Sequence, residues 1–166
     1  MAGCGGPRAD IEAAKKFDRF PLYWVGERFE QWHLNAIEGL DYPSQIISFI
    51  YGDCVPHDGD QPSCTPPFQI QVSPLCAHLR KVARAPIWRR RRIRSAPVGT
   101  IDSAPVLFTR RAQVKVYRGE GSYPGLTIKV LGALRSINRV PPVIGPTGRI
   151  PHPASAVLEG TAACPG

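Results

Sequence analysis

QIISFIYGDCVPHDGDQPSCTPPFQIQVSPLC, residues 45–76, is the stretch from which the rest of the chain is read. Two β-prone runs, Ile46–Tyr51 and Phe68–Val72, flank a loop rich in Asp, Gly and Pro. In the second run apolar and polar residues alternate strictly, which is the period of a strand with one buried and one wet face. In the first, Ile46 and Ile50 fall on one side and Ile47, Phe49 and Tyr51 on the other. A strand apolar on both sides belongs in the middle of a layered sheet. Pro66 and Pro67 have no N–H for a ladder, so the second strand begins after them. The pair predicts a β-hairpin whose long loop is closed by a Cys54–Cys64 disulfide. Closing a loop of about 11 residues adds roughly 2–3 kcal/mol of stability.

Working outward, 166 residues suit one domain with a real core. Eighteen Pro and sixteen Gly, about a fifth of the chain, argue for short elements and against a helical bundle. Asp10 caps a helix over Ile11–Arg19 that Pro21 ends. Leu22–Phe29 reads as a strand, with Gly26 marking a bulge. Trp32, Leu34 and Ile37 read as apolar anchors of the core. After the hairpin, Leu75, Cys76, Leu79, Val82 and Ala83 recur at helical spacing up to Pro86. Ile87–Arg94 follows with no element assigned to it, and Ser95–Ser103 reads as irregular. Val106–Thr109 and Gln113–Arg118 form a second hairpin across Arg110 and Arg111, with Val114 and Val116 inward. Ser122 caps a helix over Tyr123–Ile137, and Asn138 is its C-cap. The fold class expected is α+β: a single domain with a mostly antiparallel sheet of about five strands and helices packed mainly on one face. Residues 1–9 form a linker, 10–138 the domain, and 139–166 a Pro- and Gly-rich tail packed on it.

Charge is unevenly divided. Residues 1–60 hold ten acids and five Lys or Arg; residues 61–166 hold three and sixteen, for a net charge of +8. Eight basic residues cluster in one segment: Arg80, Lys81, Arg84, Arg89, Arg90, Arg91, Arg92 and Arg94. A solvated face is the plain account of such a run. The functional account is attraction to a polyanion.

Five cysteines bear on compartment. Ala2-Gly3-Cys4-Gly5 matches the end of a bacterial lipoprotein signal, whose cysteine becomes lipidated; the charged and apolar parts of such a signal are not in the chain. Setting Cys4 aside leaves Cys54, Cys64, Cys76 and Cys164, which suit two disulfides. Three connectivities are open, and Cys54–Cys64 with Cys76–Cys164 is favoured because one bridge is local and the other ties down the tail. With His57 and His78 these cysteines match no compact zinc spacing, and no metal or cofactor is expected. Gly119–Gly125 lies where a phosphate-binding loop would lie, but Pro124 stands in the place of its third glycine; a turn before a helix explains it. No catalytic constellation can be assembled. No apolar run reaches the ~18–20 residues that span a bilayer.

FPLYWVGERFEQW, SFIYGDC, SCTPPFQIQVSPLC and the APVLF…VKVY hairpin together resemble an uncharacterised group of small exported or lipid-anchored proteins of high-GC Gram-positive bacteria (actinobacteria). The resemblance covers most of residues 17–140, implies an envelope location, and carries no activity or site residues. The function expected is thus that of a non-catalytic, extracytoplasmic, lipoprotein-like protein, anchored through Cys4. It would bind or scaffold through its basic surface, its partner an anionic membrane surface or a cell-envelope polymer. If Met1 is the true start, the location would be cytoplasmic. Two other classes are a nucleic-acid-binding module using Arg80–Arg94, against which disulfides argue, and an enzyme acting on an anionic substrate near Arg118 and Ser122.

Overall fold

The computed structural model describes residues 10–41, 45–54, 65–75, 77, 87–94, 96–109 and 111–138. The elements run α1 (Ile11–Lys16), β1 (Tyr23–Trp24), β2 (Arg28–Phe29), β3 (Trp32–Glu38), β4 (Ile47–Tyr51), β5 (Phe68–Pro74), β6 (Ile87–Ile93), β7 (Ala96–Ile101), β8 (Ala104–Phe108), β9 (Ala112–Arg118), α2 (Leu126–Ala133) and β10 (Arg135–Ser136). Among the described residues, eight strands form one antiparallel sheet in the order β2-β3-β4-β5-β9-β8-β7-β6, and β1 pairs with β10 apart from it. The described residues are mostly β, with two short helices and an eight-stranded sheet in place of the five strands expected.

The sheet is two four-stranded meanders, β2–β5 and β6–β9, joined along their last strands. β5 and β9 pair in register from Phe68 opposite Arg118 to Pro74 opposite Ala112. The hairpin at residues 46–72 forms as read, with Phe49 opposite Ile70, and all five residues of β4 are buried. Ile47, Phe49 and Tyr51 pack on one face with Phe68, Ile70 and Val72 of β5 and Val114 and Val116 of β9. Ala14 and Phe17 from the α1 end, Leu22–Val25, and Leu126, Val130 and Leu131 of α2 complete this core. Tyr51 and Phe68 stack at 4.5 Å, and Phe29 and Trp32 meet Phe68 edge-on.

Three strands of the eight-stranded sheet lie outside the sequence reading, each for a local reason. β3 shifts register between Leu34 and Ala36, which interrupts its period of two. β6 shifts between Ile87 and Arg92, inside a run of four arginines that carries no apolar period. β7 contains Pro97 and Gly99, both poor strand formers; Pro97 sits opposite Arg92 at the irregular end of its pairing.

Leu22–Phe29 is two strands broken at Gly26, whose φ of 100° few side chains tolerate. The Tyr51 hydroxyl donates to the Gly26 carbonyl at 2.9 Å and accepts from the Val25 amide, fixing this break to the core. The α1 cap is as expected: the Asp10 side chain accepts from the Ala13 amide at 2.8 Å. The helix ends at Lys16, three residues early. α2 starts after Gly125, not Ser122, and Leu134 turns to extended backbone so that Arg135 and Ser136 can pair with Trp24 and Tyr23. Asn138 is therefore no helix cap. Its buried amide donates to the carbonyls of Phe17 and Phe20 and accepts from the Leu22 amide, all at 2.8 Å. At the opposite end of α2, Lys129 and the Tyr123 hydroxyl both bond Glu30 in the β2–β3 turn.

Candidate functional site

The period of two in β5 and β9 puts Gln69, Gln71 and Ser73 on one face beside Tyr117, Lys115 and Gln113. At the middle of the sheet this makes three facing polar pairs: Gln69–Tyr117, Gln71–Lys115 and Ser73–Gln113. Ser48 of β4 lies beside Gln71, and Val106 and Phe108 of β8 lie beside Lys115 and Gln113. The sequence alone marks this face as wet. The structure instead encloses it: Ser73 and Gln113 are buried, as are Ile50, Val106 and Phe108 on the same side.

A cavity of about 250 Å³ opens over these pairs, lined by Gln71, Ser73, Gln113, Lys115 and Tyr117. Ile46, just before β4, Ile101 at the end of β7, and Asp102 beyond it supply the other walls. β4 and β7 have three strands between them. On a flat sheet they would stand about 19 Å apart. Side chains from both ends lining one small cavity require the sheet to curl about this face. A second, more open cleft of about 530 Å³ shares Asp102 and Tyr117 and runs on toward Gly125 at the start of α2.

The polar groups of the cavity are unequally satisfied. Gln113 is 2% exposed; its Nε2 donates to Ser73 Oγ at 2.9 Å, and its Oε1 has no hydrogen-bond partner among the described residues. A buried acceptor left unpaired costs about 1–3 kcal/mol, so such groups are rare and call for a reason. Two residues along β9, Lys115 is 13% exposed at its side chain. Its ammonium donates to the Tyr117 hydroxyl at 2.9 Å and lies 3.5 Å from Asp102 Oδ2, the outer limit of a hydrogen bond. Asp102 sits at the half-exposed mouth, in the β7–β8 turn, where φ is 50° at Asp102 and 63° at Ser103. The Tyr117 hydroxyl accepts from Lys115 and still has its own proton to give. The cavity wall therefore holds one enclosed acceptor, one cation and one phenol at alternate residues of β9.

None of these residues stood out in the sequence, where Gln, Lys and Tyr at alternate positions read as an ordinary solvated face. Their signal is the matched polar register of two strands that the sequence does not show to be neighbours.

The residues singled out from the sequence fall elsewhere. Arg80, Lys81 and Arg84 lie outside the described residues, as does all but the first residue or two of the helix read over 75–84. Arg89–Arg92 are consecutive on β6, the outer strand of its meander, in a segment to which the sequence assigned no element; the irregular stretch expected over Ser95–Ser103 holds β7. Arg92 and Arg94 are exposed, and the Arg94 guanidinium donates to the Leu134 carbonyl just past α2, so Arg94 holds structure. Cys54 is disulfide-bonded; Cys4, Cys64, Cys76 and Cys164 lie outside the described residues. The Gly119–Gly125 segment closes on itself: Ser122 Oγ donates to the Gly119 carbonyl at 2.7 Å and Arg118 donates to the Tyr123 carbonyl. A Cβ on Gly119 would collide with the Pro66 carbonyl, which gives that glycine a packing reason. Among the described residues no group of three His, Cys, Asp or Glu side chains could hold a metal, and no helix is long and apolar enough to cross a membrane.

No protein-family profile, no curated protein and no solved structure matches this chain. The site is read from its own chemistry.

Proposed function

We propose that this is a non-catalytic binding protein whose curled antiparallel sheet holds a small polar ligand in the cavity over β5 and β9. One observation carries this reading: the Gln113 amide is buried in the cavity wall with its oxygen unpaired. A wholly structural amide would be expected to satisfy both ends or to be replaced by an apolar residue, since the unpaired end only costs stability. A ligand donor would satisfy it. The cysteine pattern, the Cys4 motif and the resemblance of the sequence support an extracytoplasmic, envelope-associated setting. Pairing of Cys54 with Cys64 belongs to the same proposal.

The test is a titration of the ¹⁵N-labelled chain with small hydroxylated and amide compounds such as glycerol, glucose, glycolate and N-methylacetamide. The expected outcome is shifts confined to the amides of Gln71, Ser73, Gln113, Lys115 and Tyr117. The pair Ser73→Ala with Gln113→Leu should abolish those shifts and change stability by no more than about 1 kcal/mol, because both partners of one bond are removed together. A large loss of stability with no ligand response would make the amide structural and refute the proposal.

A second reading rests on β6. Four consecutive arginines on the outer strand of a sheet keep other strands from pairing there. The same charges suit an anionic membrane surface or envelope polymer, at about 1 kcal/mol for each residue that reaches it. Nucleic acid is the other polyanion they could meet. Arg89–Arg92→Ser should weaken binding to anionic vesicles without lowering the melting temperature; the reverse result would make the arginines structural.

A further inference from the structure

We infer that the ligand of this cavity is a small hydroxy-carboxylic acid, of the size of a glycerate up to a single sugar acid, held by Lys115 and Tyr117 at its carboxylate and by Gln113 at its hydroxyl. The inference rests on the binding reading above and adds the chemical class.

The carboxylate end follows from Lys115. Its ammonium is largely enclosed, and its short contact is to a neutral phenol; the one carboxylate among the described residues of the wall, Asp102, is 3.5 Å away and half exposed. A ligand carboxylate at ordinary distance makes a shorter, charge-assisted bond than Asp102 does. The Tyr117 proton is free to give the same carboxylate a second bond. Charge limits the class further. Among the described residues the wall holds one cation, Lys115, and one anion, Asp102. A monoanion beside them leaves one excess negative charge, which the half-exposed Asp102 can turn toward solvent, whereas a dianion such as phosphate leaves two.

The hydroxyl end follows from Gln113. Gln113 and Lys115 are alternate residues of β9 on the same face. Their backbones are therefore about 7 Å apart. The flexible Lys115 side chain brings its ammonium closer or farther, so a donor a few bonds from the carboxylate meets Gln113 Oε1 once that enclosed amide turns toward the cavity. Gln71, opposite Lys115, presents a further amide to the same space. Ile46 and Ile101 close the ends with apolar surface, which suits the carbon skeleton of such an acid. A volume of about 250 Å³ lies just under the usual range for drug-sized ligands, so the occupant is small. The net charge of +8 favours the encounter with an anion.

The experiment is a set of matched titrations of the ¹⁵N-labelled full chain: glycolate against glycolamide and against acetate, glycerate against glycerol, glucuronate against glucose, and inorganic phosphate, each to tens of millimolar. The hydroxy acids should move the amides of Gln71, Gln113, Lys115 and Tyr117 and bind about ten-fold more tightly than their neutral partners, the margin typical of one charge-assisted bond. Lys115→Met should erase that margin, and Gln113→Met should erase the advantage of glycolate over acetate. Neutral partners binding as well as the acids would overturn the acid assignment and leave the cavity reading intact. Phosphate binding as well as glycerate would overturn the monoanion argument. Silence from every compound would mean a cavity that holds water only, and would overturn the binding reading itself. The comparisons on the unmodified chain decide these points even if a variant fails to fold.

Discussion

Asn138→Ala removes three hydrogen bonds at once. The side chain is 3% exposed and clamps the carbonyls of Phe17 and Phe20 and the amide of Leu22, each at 2.8 Å, across more than 115 residues of sequence. Each bond is worth about 0.5–1.5 kcal/mol net, and each backbone group left buried without a partner costs more, about 1–3 kcal/mol. Some of the three will reach water once the side chain is cut back, so the sum is about 3–5 kcal/mol. That is a large part of the 5–15 kcal/mol typical of a whole domain. With a urea slope of about 2 kcal/mol/M, the unfolding midpoint should fall by roughly 1.5–2.5 M. The Leu22 amide should also lose protection from hydrogen exchange. Asn138→Asp is the control: it keeps an acceptor for Leu22 but turns a negative charge toward two carbonyls. At neutral pH it should be at least as damaging as Ala, and it should recover partly on acidification, when a protonated carboxyl can again donate. An Asn138→Ala midpoint within about 0.5 M of the parent would refute the claim that this amide joins α1 and β1 to the segment that follows α2.

Lys129 holds the Glu30 carboxyl below its ordinary range, chiefly through their hydrogen bond, so its contribution is present above the unfolded value near 4.3 and is lost as pH falls through the lower folded value. Glu30→Gln should flatten that acid limb in pH-dependent urea titrations, with only a small change at pH 7 because the pair is at the surface. Burial raises Tyr51 above the ordinary tyrosine value and pushes Tyr23 up to about 12, so both stay protonated in the fold while the unfolded chain ionises near 10. Stability is thus complete below about pH 10 and falls as pH rises beyond it. Tyr51→Phe should reduce that alkaline loss and cost about 1–3 kcal/mol at pH 7 through the orphaned Val25 and Gly26 groups; an unchanged alkaline limb would contradict this account of Tyr51.

What the sequence made legible was local and periodic. Phe68–Val72 alternates without interruption, and β4 and β5 pair as that alternation demands. The β8–β9 hairpin was equally plain, because Thr109 closes its own turn with bonds to Ala112. The strands outside that reading are those in which a register shift, a proline or a run of like charge hides the period, as in β3, β6 and β7. Helix ends were misplaced where long-range pairing takes over: Leu134 leaves the helix because β1 offers Arg135 and Ser136 a partner. The candidate site was illegible for the same reason. Gln71 and Lys115 are separated by 43 positions, and nothing local shows that they face each other.

That pairing also bears on why the polar face persists. β5 and β9 are the sheet's one junction between meanders, with no short turn to set their register, and a slip of one residue would put Val72 and Val114 on the wrong face. The apolar face already fixes the register through Ile70 against Val116 and Val72 against Val114, each buried. Polar pairs on the opposite face are then not needed for alignment. If they served alignment alone, the Ser73–Gln113 bond would suffice, and the Gln113 oxygen would not be left unpaired beside a cavity. An enclosed Lys115 at the centre of the sheet costs desolvation that the half-exposed Asp102 offsets only in part. Neighbouring Val106, Phe108 and Ile50 show that the same face accepts apolar side chains where no special chemistry is required. The polar residues are concentrated where the cavity is, and the proposed binding role accounts for that concentration.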